Sequence, residues 1–288
     1  MRSDRSSLTA LGTAAQRALE MERPSAERIC SDTLARAFVP SWFYALMKRV
    51  SATAYAQRRA GGDLGFIVAR CRFMDDLLTE ALELGTRQLV ILGAGFDTRA
   101  YRFGMLKDGV RVFEVDHPAT QRNKRRKLER ILGPGGVPEF VRFVPVDFTR
   151  QSLGARLAEA GYSETLKTLF LWEGVSMYLD AVSVDGTLAF VACHSAPGSA
   201  IAFDYQCPQR AATGRRDMAL WFVTFLRRFF GEERSFAIDP AEIRSFLAGR
   251  AFRDVRSVCG DELHSMYFKD SNASRSVTSD YAIAVGTV

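Results

Sequence analysis

The sequence predicts an α/β fold: a doubly wound, mostly parallel sheet of seven strands, with an N-terminal helical cap and a helical lid insertion. Two observations predict it. From residue 88 onward, short continuous apolar runs alternate with helical stretches, and such runs are typical of strands buried on both faces of a parallel sheet. Before residue 85, apolar residues recur at helical spacing without strand signals. We therefore divide the chain into a cap, residues 1–85, and a core, residues 86–288.

The cap is predicted to contain four helices, at residues 14–21, 32–38, 42–55 and 66–84. The last of them has the clearest apolar stripe, with spacings of three and four residues. Gly85 follows it directly, where a glycine commonly ends a helix.

The core alternates strands with helices, which implies right-handed crossovers between parallel strands. Strands are predicted at 88–92, 110–115, 140–146, 168–172 and 200–203, and helices at 118–132, 153–160 and 182–196. A helix at 240–250, with Asp239 as its N-cap, and two strands at 252–258 and 281–288 then predict a final hairpin at the sheet edge. An insertion at 205–239 carries a wide apolar helical face, which suits either core packing or a lid over an apolar substrate.

The composition is that of an ordinary globular protein. Among 288 residues, 47 % are hydrophobic and 25 % are charged, and the formal charge of +6 permits an anionic substrate without requiring nucleic acid. The five cysteines are scattered and lack CxxC spacing, which argues against a zinc site or a disulfide framework. With neither a signal-peptide pattern nor a run of about 18 apolar residues, we expect a cytoplasmic protein that does not enter a membrane.

A glycine-rich turn follows the first predicted strand, with Gly93, Ala94 and Gly95 in succession. Glycines at such a strand end let the backbone approach a ligand closely. The turn is not GxGxxG, because Thr98 stands at the third position, and no GK[ST] follows. Dinucleotides and ATP are therefore disfavoured as ligands.

Acidic residues follow the next three strands. Asp116 could accept hydrogen bonds from both ribose hydroxyls of an adenosine, Asp147 could accept from an adenine amino group while Phe148 packs on the ring, and Glu173 faces the same crevice. Each acid alone could be a solvated loop residue or a helix cap. Together with the glycine turn, they suit a ligand that has an adenosine and a cationic centre but no phosphate.

Four segments, LGAGFDTRAYR, FEVDHP, VDF and LFLWEGVSMYL, resemble the leucine carboxyl methyltransferase-like family of class I methyltransferases. The segment GFIVARCRFMDDLL resembles a helix of the same family. The family includes bacterial enzymes that methylate carboxyl groups of polyketide-type small molecules. The resemblance implies a class I methyltransferase core, S-adenosylmethionine as the cofactor, and an O-methyltransferase activity in secondary metabolism.

The resemblance also implies roles for individual residues. Arg70 would bind the carboxylate of the cofactor, and Tyr178 would lie close to the acceptor, which makes these two the candidate catalytic residues. The other implied cofactor contacts are Gly93, Ala94 and Gly95 under the amino-acid part, Asp116 on the ribose, Asp147 and Phe148 on the adenine, and Glu173 on the methionine portion. Asp97 and Arg99 are expected to pair and brace the glycine turn.

The acceptor is expected to be a small molecule, anionic and partly apolar. A carboxylic acid, with a pKa of about 4, is already ionised at pH 7, whereas a phenol with a pKa near 10 needs a base. Only three histidines are present, which favours the carboxylate. A phenolic or enolic hydroxyl, a protein C-terminal carboxylate, and a use of the cofactor pocket other than methyl transfer are the alternatives.

A basic run at residues 121–130 could bind RNA, but without interleaved aromatic residues it is more typical of a solvated helix face. We therefore expect no nucleic-acid partner. No metal cluster is visible in the sequence, so no metal is expected either. Both a monomer and a dimer are compatible with the sequence.

Overall fold

A computed structural model describes residues 8–51, 61–147, 151–208 and 235–288. Phe148 and residues 209–234, most of the expected lid insertion, lie outside the described residues. The helices are α1 (Leu8–Glu20), α2 (Ala35–Phe38), α3 (Ser41–Ser51), α4 (Gly61–Glu83), α5 (Arg99–Arg102), α6 (Pro118–Leu132), α7 (Leu153–Glu159), α8 (Ala181–Cys193), α9 (Ile243–Ala248) and α10 (Gly260–Tyr267). The strands are β1 (Gln88–Leu92), β2 (Arg111–Asp116), β3 (Val141–Pro145), β4 (Thr168–Trp172), β5 (Ala200–Gln206), β6 (Arg253–Cys259) and β7 (Tyr281–Thr287).

The seven strands form one sheet in the order β3-β2-β1-β4-β5-β7-β6. Strands β1 to β5 are parallel to their neighbours, and β7 is antiparallel to both β5 and β6. The predicted doubly wound, mostly parallel seven-stranded sheet is thereby confirmed. The strand order reverses between β1 and β4, and ligands of such sheets bind outside the carboxyl ends of the strands at that point.

The expected antiparallel pair of final strands at the sheet edge is confirmed: β6 pairs with β7, and β6 is the edge strand. Strand β7 lies between β5 and β6, and helix α10 separates β6 from β7 along the chain. The burial of the two strands explains the order: the middle five residues of β7 are all buried, whereas β6 is largely exposed and fits the edge. A strand that is buried on both faces fits the interior of a sheet, with a neighbouring strand on each side.

Both faces of the sheet are covered by helices. On one face, Leu89 and Leu169 share a buried cluster with Phe66 and Met74 of α4. On the other face, Val90 and Phe170 share a second cluster with residues of α8. Helix α4 therefore lies against the sheet, and the positive φ of +87° at Gly85 ends it as predicted.

The first three helices pack elsewhere. Ala14 of α1 and Phe38 of α2 form a third cluster with Phe96, just after the glycine turn, and with Leu128 of α6. The N-terminal helices are thus held against the turn where the first strand ends. Within the described residues, no helix is long and apolar enough to cross a membrane.

Candidate functional site

The glycine turn begins directly after β1, in a backbone conformation that favours glycine. Gly93 has a φ of +65° and Gly95 a φ of +41°. A Cβ atom at Gly93 would lie 2.3 Å from Cγ2 of Val175, in the loop that follows β4. Ala94 donates its N–H to the carbonyl of Val115 at 2.9 Å, which ties the turn to β2. Only glycine fits position 93, because any side chain would both strain the backbone and overlap Val175.

Asp116, the last residue of β2, lies beside this turn. Its Oδ2 accepts from the backbone N–H of Gly95 at 2.5 Å, and its Oδ1 accepts from the N–H of His117 at 2.6 Å. Burial raises the pKa of Asp116, although these two N–H groups oppose the shift. A carboxylate has about four lone-pair positions, so both oxygens can still accept from the hydroxyls of a ligand.

Glu173, directly after β4, joins two arginines. Its Oε1 lies 3.1 Å from Nε of Arg70, and its Oε2 lies 2.8 Å from Nη1 of Arg99. Burial alone would raise the pKa of Glu173, but Arg99 and Arg70 outweigh burial and hold that pKa below its usual value. Glu173 is therefore an ionised carboxylate placed between two buried guanidinium groups.

Asp97 and Arg99 form the expected brace after the glycine turn. Arg99, 2 % exposed, donates its backbone N–H to Oδ1 of Asp97 at 2.7 Å and pairs with Asp97 through Nη1. Its Nε also lies 2.7 Å from Oδ1 of Asp75 on α4. Burial would raise the pKa of Asp97, but Arg99 and Lys124 lower it to about 2. The expected pairing of Asp97 with Arg99 is confirmed, and it extends to α4.

Arg70 lies on α4 and is 5 % exposed. Besides Glu173, it pairs through Nη1 with Asp204, a residue of β5 that has no exposed surface. Asp204 also accepts from the backbone N–H of Gly174 at 2.6 Å. Three elements, α4, the turn after β4, and β5, therefore meet at the guanidinium of Arg70.

A cleft opens beside Arg70. Helix α1 contributes Thr9 and Thr13, α4 contributes Phe66 and Arg70, and the turn after β4 contributes Tyr178. The two residues expected to be catalytic, Arg70 and Tyr178, therefore line the same cleft. The remaining lining residues are Asp63, Ile67, Gly174, Met177 and Tyr281.

The adenine side of the expected site is described less completely. Val146 donates its N–H to the carbonyl of Asp116 at 2.9 Å, which brings the half-buried Asp147 to the neighbouring strand end. Asp147 does not line the cleft, and Phe148 lies outside the described residues. Their assignment to the adenine stays a prediction.

Two functional contacts were missed by sequence reasoning. Asp204 gave a signal, since it is a charged residue inside the apolar run AIAFDYQ, but the expected strand stopped at residue 203. Arg17 on α1 gave none: its Nη2 donates to the carbonyl of Phe96 at 2.7 Å and its Nε lies 2.8 Å from Oδ2 of Asp32. This buried arginine links the N-terminal helices to the glycine turn.

Known proteins resemble the chain along most of its length. The sequence profile of the leucine carboxyl methyltransferase family matches residues 10–192. The "Putative S-adenosyl-L-methionine-dependent methyltransferase YktD" of Bacillus subtilis is 31 % identical over 220 residues, covering 76 % of this chain and 71 % of the relative. A relative of Frankia alni with the same description is 34 % identical over 271 residues, covering 88 % and 91 %.

Among solved structures, magnesium protoporphyrin IX methyltransferase from Synechocystis aligns with 88 % of this chain and 98 % of its own, at 12 % identity and a TM-score of 0.45. This chain belongs to the leucine carboxyl methyltransferase family of S-adenosylmethionine-dependent methyltransferases, and S-adenosylmethionine is its cofactor.

Proposed function

We propose that this chain is an O-methyltransferase that transfers the methyl group of S-adenosylmethionine to a carboxylate of a small-molecule acceptor. One observation carries the proposal: Arg70 and Tyr178 line one cleft, and none of the described residues that line it is a histidine. With Arg70 assigned to the cofactor, Tyr178 remains to orient the acceptor, and an acceptor that is already ionised at neutral pH needs such a hydroxyl rather than a base.

The described residues fit the cofactor. Gly93 presents backbone without a side chain at the end of β1, where a Cβ atom would collide with Val175, and Asp116 has lone pairs for ribose hydroxyls. Arg70 supplies a guanidinium for a carboxylate at the cleft wall. These residues supply bare backbone at a strand end, an acceptor for hydroxyls and a cation, which are the groups that S-adenosylmethionine requires; of the three, Arg70 lines the cleft.

Bound S-adenosylmethionine supplies a methyl group on a positively charged sulfur, and the protein supplies position and electrostatics. Tyr178 offers a hydroxyl that can donate to an acceptor carboxylate. Phe66 and Met177 provide apolar walls that exclude water from the anion. These contributions orient the acceptor and require no proton transfer by the protein.

The three histidines have structural contacts elsewhere. His117 caps α6, with Nδ1 accepting from the N–H of Ala119 at 3.2 Å. Nδ1 of His194 lies 2.8 Å from Oε1 of Glu164 at the surface. The ring of His264 stacks on that of Phe268, with the two ring centroids 5.4 Å apart. A phenolic or enolic acceptor would need another base, and Asp63 is the carboxylate that lines the cleft. A phenolic or enolic acceptor is therefore the second candidate, with Asp63 as the carboxylate that would serve as its base.

We further propose that the acceptor is anionic and partly apolar, and that the protein acts in the cytoplasm without a nucleic-acid partner. The basic run on α6 supports the last point, because Lys124 is buried 2.8 Å from Glu114 and Lys127 donates to the carbonyl of Phe38 at 2.8 Å. Part of that run therefore stabilises the fold.

The test supplies the protein with S-adenosylmethionine labelled in the methyl group and with candidate acids. A carboxyl acceptor gives a labelled ester, which mild alkali hydrolyses to volatile labelled methanol, whereas a phenolic or enolic ether keeps its label. Alkali-stable label in a small molecule would indicate that the acceptor group is a hydroxyl and not a carboxylate. Label in protein would identify a protein carboxylate, and the absence of any transfer or cofactor binding would refute the methyltransferase.

A further inference from the structure

Asp204 lies near the carboxyl end of β5 and is fully buried. Its two carboxylate oxygens have different partners: Oδ1 accepts from the N–H of Gly174 at 2.6 Å, and Oδ2 pairs with Nη1 of Arg70. Its backbone carbonyl accepts from the hydroxyl of Ser176. Asp204 is thus fixed to the turn after β4 while it binds the arginine, and it does not line the cleft itself.

The guanidinium of Arg70 is held from several directions. Glu173 binds Nε and Asp204 binds Nη1, so two of the three nitrogens of the planar group have carboxylate partners. The backbone of Gly174, with a φ of +71°, lies so close that a Cβ atom there would be 3.5 Å from both Nη atoms. The ring of Phe66 lies 5.9 Å from the guanidinium carbon on another side. These contacts fix the plane of the guanidinium at the cleft wall.

A guanidinium has five N–H donors in a rigid fork. The hydrogen bonds of Arg70 to described residues involve Nε and Nη1, which leaves Nη2 to donate toward a ligand in the cleft. Because the guanidinium is planar and rigid, contacts that fix Nε and Nη1 also fix the direction in which Nη2 donates.

We propose that Asp204 is a positioning residue: from behind the cleft, it orients the guanidinium of Arg70 for the carboxylate of the cofactor. This inference rests on the proposed function, in which that carboxylate binds Arg70. Asp204 is anchored by the Gly174 amide and so stays in place when the ligand binds. Without Asp204, Glu173 would be the one ion-pair partner of Arg70 among the residues that the structure describes, and the guanidinium would lose its fixed plane.

The experiment compares two ligands on the same protein by calorimetry. S-adenosylhomocysteine carries the amino-acid carboxylate, and its decarboxylated analogue keeps the adenosine, the sulfur and the amino group. In Asp204→Asn, the Gly174 amide keeps an oxygen acceptor, while an amide N–H replaces the acceptor for Arg70. We expect the dissociation constant of S-adenosylhomocysteine to rise about tenfold, as for loss of an oriented charge-assisted hydrogen bond, and that of the analogue to change less than twofold.

Matched variants separate this role from a general loss of structure. Asp185→Asn removes a carboxylate that lies 2.6 Å from Nε of Arg250 and does not line the cleft, and it should change neither affinity. Arg70→Gln should abolish the preference for the carboxylate, and adding Asp204→Asn to it should have no further effect on that preference. If Asp204→Asn does not fold, Asp204→Ser, which is smaller and also lacks the carboxylate, takes its place.

Equal weakening of both ligands would reduce Asp204 to a structural residue and overturn the inference. Unchanged or tighter binding of S-adenosylhomocysteine would overturn it as well, as would an equal affinity of the unaltered protein for both ligands. If the unaltered protein bound neither S-adenosylmethionine nor S-adenosylhomocysteine, the proposed function itself would fail.

Discussion

The carboxylate of Glu173 lies 2.8 Å from Nη1 of Arg99 while its other oxygen accepts from Nε of Arg70. The WEG turn after β4, the DTR segment after the glycine turn, and helix α4 are therefore joined by one carboxylate, which is 10 % exposed. Glu173, expected only as a cofactor contact, also holds together the elements that form the site.

Glu173→Gln should destabilise the fold. The change removes the negative charge that two buried arginines share, and breaking a buried ion pair typically costs about 3–5 kcal/mol. For a chain of this size, we expect thermal unfolding to shift down by about 5–10 °C. Calorimetry checks it against Glu164→Gln, whose exposed pair with His194 should be worth less than about 1 kcal/mol. Equal melting temperatures for the two variants would contradict the bridging role.

Gly93→Ala should abolish cofactor binding at concentrations that saturate the unaltered protein. The new Cβ would lie 2.3 Å from Cγ2 of Val175, and the φ of +65° is strained for alanine. The turn must shift, and its ligand-facing backbone shifts with it. Gly186→Ala on α8 is the matched control, since no atom lies within 4 Å of its Cβ position and alanine favours a helix. Titration with S-adenosylmethionine measures both, and tight binding by Gly93→Ala would refute the close-approach argument.

Much of the fold was predictable from local patterns. Strands β1 and β4 lie where continuous apolar runs predicted them, and α6 has the predicted bounds because Pro118 and Gly133 mark its two ends. The position of β7 between β5 and β6 was not predictable in this way, because strand order depends on burial across the whole sheet rather than on any one segment.

The site was also predictable only in part, because local sequence patterns mark some of its residues and not the contacts between distant ones. Glycines and acids at strand ends are visible in sequence, so the residues around the glycine turn were found. The Arg70–Asp204 contact joins residues 134 positions apart, and the Arg17–Phe96 contact joins residues 79 apart. No local periodicity encodes either pairing, although a lone acid in a buried strand marks one of the partners.

The stability of the folded protein at acidic pH should depend on Asp97. Arg99 and Lys124 overcome the effect of burial and lower the pKa of Asp97 from 3.8 to about 2 in the folded protein. A carboxyl with a depressed folded pKa stabilises the fold above its unfolded pKa, and this contribution is lost as the pH falls from about 4 to about 2. Between pH 6 and pH 3, the unaltered protein should therefore lose about 1 kcal/mol more than Asp97→Asn does. Denaturant unfolding at both pH values measures the difference, and parallel losses would contradict the ionised brace.

Tyr178→Phe tests the acceptor side of the cleft. The change removes a hydroxyl beside Arg70 without removing the ring, so cofactor affinity should stay within about twofold. If the hydroxyl orients the acceptor through a hydrogen bond to its carboxylate, kcat/KM for the acceptor should fall about tenfold, as for the loss of about 1.5 kcal/mol. Tyr267→Phe, whose hydroxyl bonds Asp76 at 3.0 Å outside the cleft, should leave both quantities unchanged. An unaltered kcat/KM in Tyr178→Phe would remove this tyrosine from the proposed site, whereas a weakened cofactor affinity with the same turnover would assign it to the cofactor instead.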